Sequence, residues 1–126
     1  MPGLAHFCEH LLFMGTKKYP KVNAYFDYLG LNGGSSNART FYDYTNYYFS
    51  VNHGSLEGAL DRFSQFINPL FSKESVAKEA NAVNSEHQKN IQSDGWRTMQ
   101  VQKHTINQTH PFSRFATGTY DTLQNP

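Results

Sequence analysis

The feature that most limits how this chain can fold is a change of hydrophobic period near its middle, from helical to strand-like and back. Thr45, Tyr47, Phe49 and Val51 alternate with Asn46, Tyr48, Ser50 and Asn52, the two-residue repeat of a strand with one buried face. Ser35 to Phe41 forms the strand before it, joined through Tyr42-Asp43-Tyr44. On both sides the spacing is helical. Leu4 to Met14 is densely apolar and is followed by Gly15, Thr16 and Pro20, the stop signals of a helix. Val22 to Leu31 places Tyr25, Phe26 and Leu29 near one face, with Gly33-Gly34 at its end. After His53-Gly54, the stripe Leu56, Ala59, Leu60, Phe63, Phe66, Ile67 and Leu70 predicts one core-facing helix with Ser55 as N-cap. A long helix is expected from Lys73 to Ile91 with Ser72 as cap, ended at Ser93-Asp94-Gly95 before another from Trp96 to Thr105. From Asn107 onward the breakers Thr109-His110-Pro111 and Gly118 predict loop. The class this implies is α+β, helices packed on a mostly antiparallel sheet.

Composition removes several functions. Eleven basic residues against ten acidic ones, with no basic run or basic helix face, leave nothing to neutralise a phosphate backbone, so nucleic acid is not an expected partner. The longest apolar runs, such as Leu11-Leu12-Phe13-Met14, fall far short of the roughly 20 residues that span a bilayer, and no membrane insertion is expected. A single cysteine, Cys8, allows no internal disulfide, which favours a reducing compartment such as the cytoplasm, an upstream targeting segment aside. At 126 residues, without repeat or low-complexity linker, residues 1–126 read as belonging to one domain.

The chemistry concentrates in His6-Phe7-Cys8-Glu9-His10, the inverted pattern His-x-x-Glu-His. On a helix of 3.6 residues per turn, positions 6, 9 and 10 share a face. Two imidazoles one turn apart can bind one zinc ion, and the carboxylate beside them can reach a zinc-bound water without taking a coordination position. The bland alternative is a buried helix whose histidines only pack or hydrogen-bond. A catalytic zinc takes three protein ligands, so the motif predicts a further His, Asp or Glu on a separate element. Glu86 is the best candidate: solvated surface is the usual fate of a helical glutamate, but Ala80, Ala82 and Val83 around it favour partial burial. Glu79 lies two turns earlier on the same face. Cys8 points off the ligand face, and an inert or steric role is expected for it. His53, His87, His104 and His110 have no partner spacing and read as ordinary surface or hydrogen-bonding residues.

At this point the chain resembles a known family. His6 to His10 followed by Gly15-Thr16-Lys17-Lys18-Tyr19-Pro20, then Gly34-Ser35-Ser36-Asn37-Ala38, Thr45-Asn46-Tyr47-Tyr48-Phe49, Glu57-Gly58-Ala59-Leu60-Asp61-Arg62-Phe63 and Asn81-Ala82-Val83-Asn84-Ser85-Glu86-His87 are similar, in order, to blocks of the pitrilysin or insulin-degrading-enzyme type of zinc metallopeptidase. The resemblance implies His6, His10 and Glu86 as zinc ligands, Glu9 as general base and Glu79 as a supporting carboxylate. It implies that Ser36, Asn37 and Ala38 lie on an edge strand that pairs with an extended peptide substrate, and that Trp96 and Met99 stand near a substrate side-chain pocket. Arg39 departs from the aromatic or small residue of the relatives and points to acidic or polar substrate side chains.

The resemblance further implies a partial catalytic domain, a truncated version of the metallopeptidase half-domain. Strands before the zinc helix are expected to be missing, and so are the remaining domains, or a homologous subunit, that close the substrate chamber. The expected function is zinc-dependent hydrolysis of peptide bonds, weak or absent in the isolated segment. The alternative is an inactive scaffold or interaction protein; relatives that lose activity typically lose the glutamate or a histidine, and all four groups are present here.

Overall fold

The computed structural model describes residues 1–124. In chain order its elements are α1 (Leu4–Leu12), α2 (Ala24–Leu31), β1 (Ser35–Thr40), β2 (Thr45–Ser50), α3 (Leu56–Ser64), α4 (Lys73–Asn90), α5 (Asp94–Thr105) and α6 (Tyr120–Gln124), with 3-10 turns at His53–Ser55, Gln65–Ile67 and Pro111–Ser113. The class is α+β, helices against an antiparallel pair of strands. Ser35 faces Ser50 and Thr40 faces Thr45, and the loop between is closed by the Phe41 amide donating to the Tyr44 carbonyl at 2.8 Å. The alternation seen in the sequence is the alternation of exposure: Tyr47 and Phe49 turn inward, Asn46 and Tyr48 outward.

Among the described residues, two apolar clusters hold every helix but α5. Phe7 and Leu11 of α1 pack with Ala80 and Val83 of α4 and Leu123 of α6, which sets α1 alongside α4. Tyr25 and Leu29 of α2 pack with Ala59 of α3 and with Phe66, and the rings of Phe13, Phe49 and Phe63 close around them. Leu29 is 1 % exposed, so Leu29→Ala is expected to cost about 2–5 kcal/mol, read as a lower urea midpoint of this domain.

The entry to α1 depends on two glycines. Gly3 and Gly118 both have left-handed backbone, with φ of 85° and 92°, and a Cβ on Gly3 would lie 2.2 Å from the Gly118 Cα. Only glycines permit this approach, and it brings the carbonyl of Thr117 to the start of α1.

Four expectations need correction. The stripe from Leu56 to Leu70 is not one helix: α3 stops at Ser64, and the chain tightens into a 3-10 turn before Asn68-Pro69, because proline disfavours helical geometry in the residue before it. Ala59, Phe63 and Phe66 reach the core, whereas Leu56, Leu60, Ile67 and Leu70 remain exposed. Ser55 does not cap α3; its hydroxyl donates to Asn32 Oδ1 at 2.6 Å, while Ser72 does cap α4, accepting from the Ser75 amide at 3.1 Å. Asp94 and Gly95 lie inside α5 rather than before it, the aspartate being favoured at the positive end of the helix. The tail read as loop carries α6, too short to show a period, and held in place by burial of Leu123.

Candidate metal centre

Packing of α1 on α4 brings three side chains to one point. The His6 and His10 rings stand edge to face with centroids 4.8 Å apart. His6 Nε2 and His10 Nε2 each lie 3.5 Å from Glu86 Oε2, and the three ligand atoms are all within 4.8 Å of one another. Donors at the usual zinc distances in a tetrahedral shell are about 3.3 Å apart. The spacing found is that of a shell around a common centre, slightly open.

The other nitrogen of each ring is already committed. His6 Nδ1 is 2.7 Å from the Thr117 carbonyl; a carbonyl only accepts, so Nδ1 carries the proton and Nε2 keeps its lone pair. His10 Nδ1 lies 3.1 Å from Glu79 Oε2. Outer partners of this kind orient metal-bound histidines and fix their tautomers. The donor set, two imidazoles and one carboxylate with a side left open, fits zinc in a catalytic rather than a closed structural site.

The electrostatics of the cluster agree with a demand for positive charge. Hydrogen bonding to Glu79, then to Glu86, pushes the His10 pKa up to about 9 against the opposing effect of burial. Contact with His10 in turn holds the Glu86 carboxyl below its ordinary range. A proton on His10 and a divalent cation at the common centre are alternative answers to the same pair of carboxylates.

Glu9 stands beside the cluster without joining it. It is 8 % exposed, and its Oε2 accepts from the Thr40 hydroxyl of β1. Glu9, His6, His10 and Glu86 all border a cavity of about 1050 Å³. Among the residues expected to meet substrate, Asn37, Ala38, Trp96 and Met99 line that cavity. Ser36 does not. Its hydroxyl donates to the Tyr48 carbonyl at 2.9 Å and accepts from the Tyr25 hydroxyl at 3.0 Å. Arg39 lies over the Tyr48 ring, 5.4 Å from its centroid.

Several residues were not legible as contributors. Lys103 is 4 % exposed, donates to the Arg114 carbonyl at 2.9 Å and lies within 5.6 Å of the Tyr42 and Phe112 ring centroids. Burial lowers its pKa. His87, expected at the surface, is half-buried against Phe115 and borders the cavity with His104. His110 accepts from the Phe112 amide at 3.2 Å. Cys8 is exposed, so burial does not explain its expected inertness. No single-residue signal marks Thr40 or Thr117, whose roles come from where the hairpin and the tail are packed.

Residues 1–109 match the family model described as Insulinase (Peptidase family M16). The chain belongs to the M16 peptidase family. It is 58 % identical over 124 residues to the A-factor-processing enzyme of Saccharomyces cerevisiae, covering 98 % of this chain and 12 % of that protein. It is 57 % identical over 123 residues to the insulin-degrading enzyme of Homo sapiens, covering 97 % of this chain and 12 % of that one. A crystal structure of pitrilysin superposes with a TM-score of 0.89 at 42 % identity, over 98 % of this chain and 13 % of that chain. This M16 segment thus spans about an eighth of the length of the relatives it matches. Among the described residues, no helix is long and apolar enough to cross a membrane.

Proposed function

We propose that this segment supplies the metal-binding and proton-transfer groups of a zinc-dependent endopeptidase, completed by further domains of the same protein or by a homologous subunit. The single observation that carries the proposal is the convergence of His6 Nε2, His10 Nε2 and Glu86 Oε2 on one point, with both Nδ1 atoms tied off by Thr117 and Glu79.

The three side chains would hold the ion, with Glu79 keeping His10 oriented through its Nδ1. When bound, zinc would supply Lewis acidity there, lowering the pKa of water to about 7 and polarising an amide carbonyl. Glu9 takes the proton from the attacking water and delivers it to the departing amine, so that one water and one peptide bond become a carboxylate and a free amine. The backbone of β1 at Asn37 and Ala38, with an edge not paired to β2, adds an extended peptide as a further strand. Recognition through main-chain groups suits peptides of many sequences, and the aromatic and thioether side chains of Trp96 and Met99 offer an apolar wall for one residue of the peptide. The lone cysteine supports a reducing compartment, cytoplasmic in the simplest case.

Two experiments bear on this. In the full-length protein, a chelator is expected to abolish cleavage of an unstructured peptide and one equivalent of zinc to restore it; cleavage that persists after verified metal removal would overturn the proposal. Glu79→Gln is expected to lower zinc affinity by about 10- to 100-fold without unfolding the domain, measured by competition with a chromophoric chelator.

A further inference from the structure

We infer that Thr40 is a positioning residue for the base, selecting which oxygen of Glu9 takes the proton; this rests on the role of Glu9 proposed above. The Thr40 hydroxyl donates to Glu9 Oε2, and no other side-chain or backbone donor meets that carboxylate among the described residues. A hydroxyl has one hydrogen and two lone pairs. Since Thr40 Oγ1 also lies 3.2 Å from Thr45 Oγ1, its single hydrogen goes to Glu9 and the Thr45 hydroxyl must be the donor of that second bond. The result is a directed chain, Thr45 to Thr40 to Glu9, across the facing pair that ends the hairpin.

The direction has a chemical consequence. The Thr40 hydrogen occupies one of the two lone-pair sites of Oε2 and draws electron density from it, so Oε1, with both of its sites free, is the more basic oxygen and receives the proton from water. The bond also removes rotational freedom from a carboxylate that must change partner during turnover, first accepting a proton and then giving it up. Placement of the reacting atom within a fraction of an ångström is where such a bond acts, since a misplacement of about 1 Å can cost about 100-fold in rate. Thr40 is also two residues beyond Ala38 on the same face of β1. The strand proposed to hold the peptide therefore holds the base as well, and it fixes the distance between them along one rigid element.

Thr40→Val keeps the size and branching of the side chain and removes only the hydroxyl, while Thr40→Ser keeps the hydroxyl. In the full-length zinc-loaded protein, Thr40→Val is expected to retain one zinc per chain and the parental KM and to lower kcat about 10- to 100-fold. Thr40→Ser should stay within about threefold of the parent, and Thr45→Val should fall between the two. In the Glu9→Gln background Thr40→Val should cause no additional loss, because its effect passes through that carboxylate. Parental kcat in a zinc-replete Thr40→Val protein would overturn the inference. So would equal losses in the Val and Ser variants, or a change confined to KM. Should Thr40→Val fail to fold, Thr45→Val against Thr40→Ser decides the matter by the same kcat comparison. If Glu9→Gln itself keeps its turnover, the base assignment has failed; if Glu9→Gln is inactive while Thr40→Val is normal, only the positioning role has failed.

Discussion

Glu9→Gln in the full-length protein is expected to keep its zinc and to lose peptide hydrolysis by roughly 10²- to 10⁴-fold, the usual range for removal of a positioned general base. The substitution is close to isosteric, and the amide oxygen still accepts from the Thr40 hydroxyl, so the side chain stays where it is. What disappears is an oxygen basic enough to take a proton. Glu9 is not among the three convergent atoms, and the metal content should therefore be unchanged. Zinc analysis beside a fluorogenic peptide assay checks both halves; normal turnover in a zinc-replete variant would remove Glu9 from the mechanism.

The second large effect is expected at His10. It occupies the centre of the cluster, with Nε2 3.5 Å from Glu86 Oε2 and Nδ1 3.1 Å from Glu79 Oε2. His10→Ala removes one of three donors and also leaves Glu79 facing an empty space. A tetrahedral site reduced to two protein donors has little hold on zinc, and the loss should exceed the 10- to 100-fold expected for an orienting partner. Dialysed protein should come out free of stoichiometric zinc and inactive. His87→Ala is the matched control: this histidine borders the same cavity but packs against Phe115, and its variant should retain one zinc. Loss of metal from both variants would point to a general loosening of the fold rather than to a ligand role for His10.

What was legible in the sequence and what was not divides along the range of the interactions. The hairpin was legible because Thr45, Tyr47, Phe49 and Val51 record a local period, and the N-cap of α4 because Ser72 needs only the amide three residues on. His6, Glu9 and His10 stood out through spacing on one helix, and Glu86 through the chemistry the other three require. Thr40, Thr117 and Lys103 were invisible, since each acts through a contact made by tertiary packing: Thr40 across to α1, Thr117 through the approach of Gly3 to Gly118, Lys103 through a carbonyl of the tail. The same reason explains the errors. The stripe from Leu56 to Leu70 predicts a core-facing helix but not its partial exposure, because period reports one face, not how much of it a neighbour covers. The tail carries no helical period because α6 derives its stability from Leu123 packing in the cluster with Val83, not from its own five residues.

X-ray absorption on the zinc-loaded full-length protein examines the common centre itself. The expected spectrum has four nitrogen or oxygen neighbours at about 2.0–2.1 Å, with the outer-shell scattering of two imidazoles. A sulfur neighbour at about 2.3 Å, which would implicate the exposed Cys8, or a spectrum without imidazole scattering, would contradict the site.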